Sequence, residues 1–418
     1  MCGLRTSGSS IGLASVHALS WLVLANGVGL LMAILLLWPQ IGHLLGPVTY
    51  GRLVPLHLNC HLYGWLSLPL IAMLFHLFQT GNARLARLAV WCWSVSLAVG
   101  GLSWLAGQSS GKLFLDWKGF ARVAFVIAMC VLWLALVRQY WAKRACWNRP
   151  HKLGRLCLLM LLLPVPLMMY LASGAGLYPP INPNSGGATG SSLLGSTLAI
   201  ITLFLAAPHL ICKTASLTSA GGRLICLLLL HWLGFGLLDH GNVSNHQTAQ
   251  IVGLASLIPW VGLLFWYYRR FLWPRGTLMW LLGFAFWATL LVVSGWLSFL
   301  PDVLARYKFT NGLVAHAHLA MAGMVTSFLM VVILAINGQL VALARRLPCW
   351  LWQFSCLVHI VVLALLGALE GHQHAAVFLA NSGAGLLLGM RLLAGLVMLV
   401  VSAYWLLCCR SKFYGEVS

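Results

Sequence analysis

Apolar runs close to the ~20 residues needed to cross a bilayer recur along the whole chain, separated by short polar or basic joints. Their centres fall near Val28, Leu66, Ser96, Met129, Leu163, Leu203, Leu230, Leu257, Thr289, Met324, Val361 and Met398, which predicts twelve transmembrane helices. The seventh, between Arg223 and Asp239, is the shortest. No linker is long enough to part domains, although YPPINPNSGGATG (178–190) makes a clear break between the fifth and sixth helices. The pattern therefore predicts an all-α fold, a single polytopic domain over 1–418. The first run is expected to remain in the protein. It is long enough to span, and Trp38, Pro39 and Gln40 follow it where a cleavage signal of small residues would stand.

Composition agrees with a chain dissolved in lipid. Of 418 residues, 61% are hydrophobic and 7% charged, and the mean hydropathy is +0.92. Charge then sets the orientation. With the N-terminus inside, 18 of the 25 Lys and Arg residues fall on the cytoplasmic side, in clusters such as Arg84 with Arg87 and Arg138 through Arg155. The positive-inside rule thus favours twelve spans with both termini cytoplasmic. A net charge of +20 calls for no nucleic acid; anionic membrane lipid is the expected partner. Asp116, Asp239, Asp302 and Glu370 map to the outer side, leaving Glu416 inside, so polar chemistry gathers at the outer face. The twelve cysteines fall mostly within predicted spans, where a thiol packs as a small hydrophobe. No C-x-x-C-H motif is present to attach a haem covalently.

Against this background GLVAHAHLAMAG (312–323) stands out, because it places His316 and His318 in one apolar helix. At about 100° per residue the two imidazoles project from nearly opposite faces, so one neighbour cannot serve both. A polar group in hydrocarbon must be satisfied by protein or ligand. For a lone histidine such as His231 or His359, a hydrogen bond to the next helix is sufficient. For the pair, haem iron is a direct partner: neutral imidazole is an axial ligand and the apolar macrocycle fits between helices. The second helix offers further ligands in GRLVPLHLNCHLYGW (51–65), where His57 and His61 lie four apart on one face.

A His-x-His in the tenth of twelve helices, with a His near the start of the second, resembles the catalytic subunit of the haem-copper oxidase superfamily. GRLVPLH (51–57) and GMRLLAG (389–395) most resemble the cbb-type cytochrome c oxidases, whose relatives include the bacterial nitric oxide reductases. The resemblance runs in order from helix two to helix twelve. It implies two haems, b type, with His57 and His318 ligating a low-spin haem and His316 serving as proximal ligand of a high-spin haem; His61 remains the rival of His57. Arg391 aligns with an arginine near haem propionates. Arg52, Arg306 and Lys308 lie at the same level, as propionate partners or as interfacial charges. The resemblance further implies a bacterial inner membrane location, electrons from a periplasmic cytochrome c or cytochrome c subunit, and other subunits of a respiratory complex.

The sequence departs from the family at the second metal. GATGSSLLGSTLAII (187–201), which opens helix six, has no His, and GFGLLDHGNVSNH (234–246) has Asp239 and His240 where the family has adjacent histidines. The tyrosine expected before that pair is missing from LLLLHWLGFGLL. Copper is normally held by three imidazoles or by imidazole and thiolate. His240 is what remains of that set, and Asp239, His246, His372 and His374 would have to complete it for copper or a non-haem iron. The inner halves of the helices carry no Asp or Glu, leaving Ser, Thr and His17, His76 or His209 as the polar candidates there. Two functions follow as expectations: an oxidase or nitric oxide reductase subunit, or a non-catalytic dihaem protein for electron transfer or gas binding. A transporter would explain twelve helices but not the placement of His57, His316 and His318.

Overall fold

The computed structural model describes residues 10–214, 220–338, 340–372 and 382–414. Helices α1 (Ser10–Leu37), α2 (Tyr50–Phe78), α3 (Arg84–Leu105), α4 (Gly119–Cys146), α5 (Arg149–Ser173) and α6 (Gly190–Ile211) come first. They are followed by α7 (Gly221–Gly236), α8 (Thr248–Tyr268), α9 (Leu278–Phe299), α10 (Asn311–Ile336), α11 (Arg346–Gly371) and α12 (Gly383–Lys412). Eleven of these are long and apolar enough to cross a membrane; α7, the predicted shortest, is the exception. The chain is an all-α, multi-pass membrane protein. Among the described residues the strands amount to Lys213–Thr214 paired antiparallel with Phe271–Leu272.

Local sequence explains where the helices deviate. Helix α5 breaks between Leu162 and Val165, at Pro164, and α8 breaks between Ala255 and Ile258, just before Pro259. Proline lacks the amide that would continue the ladder. Helices α2 and α10 are interrupted differently. Each contains a seven-residue π-helical stretch, Cys60–Leu66 and Leu319–Val325, in which no proline occurs.

The chain divides into two compact units, one comprising Met1–Tyr178, Val332–Leu351 and Gly395–Ser418, the other Pro179–Val331 and Trp352–Ala394. In the first unit, fully buried Trp65, Trp104, Trp117 and Phe125 form its aromatic centre, with the Trp117 and Phe125 rings stacked 4.1 Å apart. Interhelical hydrogen bonds supplement packing, as expected where lipid gives helices no hydrophobic reason to associate. Along α1, Ser10 meets Thr80 at 2.7 Å, Ser15 accepts from Asn337 at 3.0 Å, and Asn26 donates to Ser402 at 3.0 Å. Lys112 is buried, and its ammonium donates to the carbonyls of Ala172, Gly174 and Leu177, tying the loop before α4 to the end of α5.

The second unit is built around Trp280, Phe284, Trp287 and Trp352, all fully buried. Gly323 of α10 lets the Trp287 ring lie against the backbone, where an added Cβ would come to 2.7 Å of it. The indole of Trp352 donates to the Ala322 carbonyl at 3.1 Å, and Gln353 links Trp287 to Ser327, so α9, α10 and α11 are pinned to one another.

Candidate functional site

In the first unit, His57 sits three residues before the π-helical stretch of α2. Its Nδ1 donates to the carbonyl of Ala25 on α1 at 2.9 Å. A carbonyl can only accept, so Nδ1 is the nitrogen that carries the proton in this contact. One turn further along α1, Gly29 accommodates the ring: a Cβ there would stand 2.7 Å from His57 Cε1. His61 lies beside it, the two rings edge to face with centroids 4.8 Å apart. The structure therefore brings both candidate ligands of α2 together.

Asn59, between them, is fully buried. Its amide reaches Asp116 Oδ2 at 3.5 Å, and Asp116, also buried, accepts from Ser109 at 2.7 Å. Asp116 was legible only as an outer-side carboxylate; its placement against α2 comes from the loop between α3 and α4. Arg52 donates to the Leu105 carbonyl at 3.0 Å, capping α3. Gly107, at φ +81°, leaves room for that guanidinium.

In the second unit, His316 and His318 close the first α-helical segment of α10, directly before its π-helical stretch. His318 Nδ1 donates to the carbonyl of Val314, four residues back, at 2.8 Å, which fixes the same tautomer as in His57. Its ring lies 4.7 Å from that of His359 on α11, tilted by 41°. His359, a lone histidine in an apolar run, is thus a buried neighbour of His318, a proximity no single-position signal announces. His316 points to α9, with Nδ1 3.4 Å from Ser294 Oγ and Gly295 opposite the ring. The two imidazoles of α10 therefore have different neighbours, as the ~200° between them requires.

The start of α10 is locked in place. The Glu370 carboxylate accepts both the backbone amide and the side-chain amide of Asn311. Thr310 caps Gly312 at 3.1 Å, and Gly367 of α11 packs so closely on Gly312 that any side chain there would overlap its backbone. The adjoining short helix Pro301–Tyr307 carries Arg306, which is exposed and lines a cavity of about 310 Å³ with Asp302, Tyr307 and Gly371. Burial raises the Tyr307 hydroxyl above its ordinary pKa. Arg391, on α12, is buried at 6% exposure, while Lys308 lies over the Phe309 ring.

The residues weighed for a second metal are dispersed in the loop after α7. His240 is exposed and its ring packs on Phe235 at 4.5 Å; Asp239 accepts the Gly241 amide at 2.8 Å; His246 is exposed. The side chains of His372 and His374 lie outside the described residues. Among the described residues no three His, Cys, Asp or Glu side chains come together as a metal-holding group. Three further histidines have plain partners. His231 bonds Ser256 at 2.7 Å and Trp260 at 2.8 Å, and His17 bonds Ser94 at 2.7 Å. His209 bonds the Tyr267 hydroxyl. Compared with known proteins, the chain matches no protein-family model and no curated protein.

Proposed function

We propose that the chain is a membrane haem protein that passes electrons, with His57 and His318 as axial ligands of a low-spin haem b and His316 as the proximal ligand of a second, high-spin haem. The observation that carries this reading is the shared tautomer. His57 and His318 each commit Nδ1–H to a main-chain carbonyl, Ala25 at 2.9 Å and Val314 at 2.8 Å. Metal-ligating imidazoles commonly donate their other ring N–H to a carbonyl in this way. Supporting it, π-helical turns concentrate at functional sites, and among the described residues such a stretch begins three residues after His57 in α2 and directly after His318 in α10. His57 is taken over His61 because its tautomer is fixed by α1. Haem, when bound, supplies one-electron exchange and a site for a small gas ligand. The chain's own part is to orient the imidazoles and exclude water with the aromatic packing around α2 and α10. Arg391, Arg52 and Arg306 are the cations offered to propionates, and a periplasmic cytochrome c or cytochrome c subunit in a bacterial inner membrane complex is the electron donor.

Whether oxygen or nitric oxide is reduced depends on a second metal. The exposure of His240 and the turn hydrogen bond of Asp239 favour the alternative, a dihaem electron-transfer or gas-binding subunit without that metal. Optical and EPR spectra of purified variants test the ligand assignment. His318→Ala is expected to abolish the low-spin signal and keep the high-spin one, and His316→Ala to do the reverse. Unchanged spectra in both variants would overturn the assignment.

A further inference from the structure

Away from the histidines, the start of α3 and the end of α4 enclose a cavity of about 540 Å³ lined by Arg84, Arg138, Gln139, Leu85, Leu88 and Ala135. Two exposed guanidiniums stand at its mouth, and its wall is aliphatic. Gln139 donates to the Gln79 carbonyl at 2.9 Å, which fixes one side of the opening. The N-cap of α3 is Ala83, with no side chain bonded to the first-turn amides, so the positive end of the helix faces the same space without an internal acceptor. From the cavity an exposed apolar lane continues along α3 through Leu88 (50% exposed), Trp91 (53%) and Val95 (56%).

Among the described residues of this unit no carboxylate is placed to neutralise this pair. The five acids are Asp116, Asp239, Asp302, Glu370 and Glu416. Within the described part of this unit that leaves Asp116, which precedes α4 and lies a helix length, about 30 Å, from Arg138. By contrast, the cavity beside Arg306 includes Asp302 and is balanced internally. Among the described residues of this unit, Arg84 and Arg138 thus have no carboxylate close enough to pair with.

We infer that this cavity is a binding site for an anionic phospholipid, its phosphate held by Arg84 and Arg138 and an acyl chain laid along Leu88, Trp91 and Val95. Arginine matches phosphate bidentately, and basic pockets between membrane helices suit such headgroups. The site is independent of haem, so it stands or falls separately from the function proposed above.

Native mass spectrometry of the purified full chain, with phosphatidylglycerol or phosphatidylcholine of identical acyl chains, tests the proposal. The wild type is expected to retain phosphatidylglycerol preferentially. In Arg84→Gln/Arg138→Gln retention falls roughly 10- to 30-fold, about fivefold for each charge near the membrane surface. Arg269→Gln/Arg270→Gln, which removes the same charge elsewhere, retains it. Arg84→Lys/Arg138→Lys, which keeps the charge and the fold, recovers part of the loss. Equal retention of the two lipids, an equal loss in the Arg269/Arg270 control, or full displacement by millimolar inorganic phosphate, indicating a free-phosphate site, would each overturn it.

Discussion

At the scale of single residues, the account rests on which ring nitrogen carries a proton. Ala25 offers only a backbone carbonyl to His57, so side-chain replacement cannot remove that anchor, but its geometry can be disturbed from Gly29. A Cβ at Gly29 would press to 2.7 Å on His57 Cε1. Gly29→Ala is therefore expected to tilt the imidazole and cost about 1–3 kcal/mol through overpacking. Thermal unfolding in detergent reads the stability loss, and a selectively broadened or lost low-spin absorption reads the displaced ligand. A stability loss with an unaltered haem spectrum would show that His57 is not the ligand. The type and order of these residues were legible in the sequence, since paired imidazoles in an apolar helix demand partners. Their anchors were not, because a carbonyl acceptor has no residue signature and Gly29 is one glycine among 42. His359 escaped for a related reason: a lone histidine suggests an ordinary neighbour, and its packing on His318 depends on how α10 and α11 pair.

At the scale of elements, the helices were readable because membrane spans are long, apolar and closely punctuated. The π-helical stretches were not, since a shift from i→i+4 to i→i+5 bonding alters no hydropathy. Nor was the clamp that sets the height of α10. Glu370 reads in sequence as an outer-side acid; in the structure it accepts two hydrogen bonds from Asn311 at the positive end of the helix bearing His316 and His318. Glu370→Gln keeps the shape and removes the charge, and is expected to cost about 1 kcal/mol. Gly367→Ala, which drives a methyl group into the Gly312 backbone, is expected to cost more, up to about 3 kcal/mol. Differential scanning fluorimetry of the two variants gives the order directly. A larger loss in Glu370→Gln would place the clamp, not the close glycine contact, in charge of the register.

For the whole molecule, hydropathy and charge established the class of protein, a multi-pass all-α membrane chain, and the seventh helix matched its expectation as the shortest. Of the boundaries between the two compact units, the one at Tyr178 and Pro179 falls in the loop that reads as a break in sequence, whereas the other three fall within α10, α11 and α12, where an apolar run gives no sign of them. The excess of 25 basic over 5 acidic residues is likewise visible in sequence, yet only the fold shows that Arg84 and Arg138 share one cavity. The most direct test of the central claim is the haem content of the purified full-length protein by the pyridine haemochrome assay. The account predicts two b-type haems per chain; protein that is folded and monodisperse but carries no haem, even after reconstitution with hemin, would contradict it.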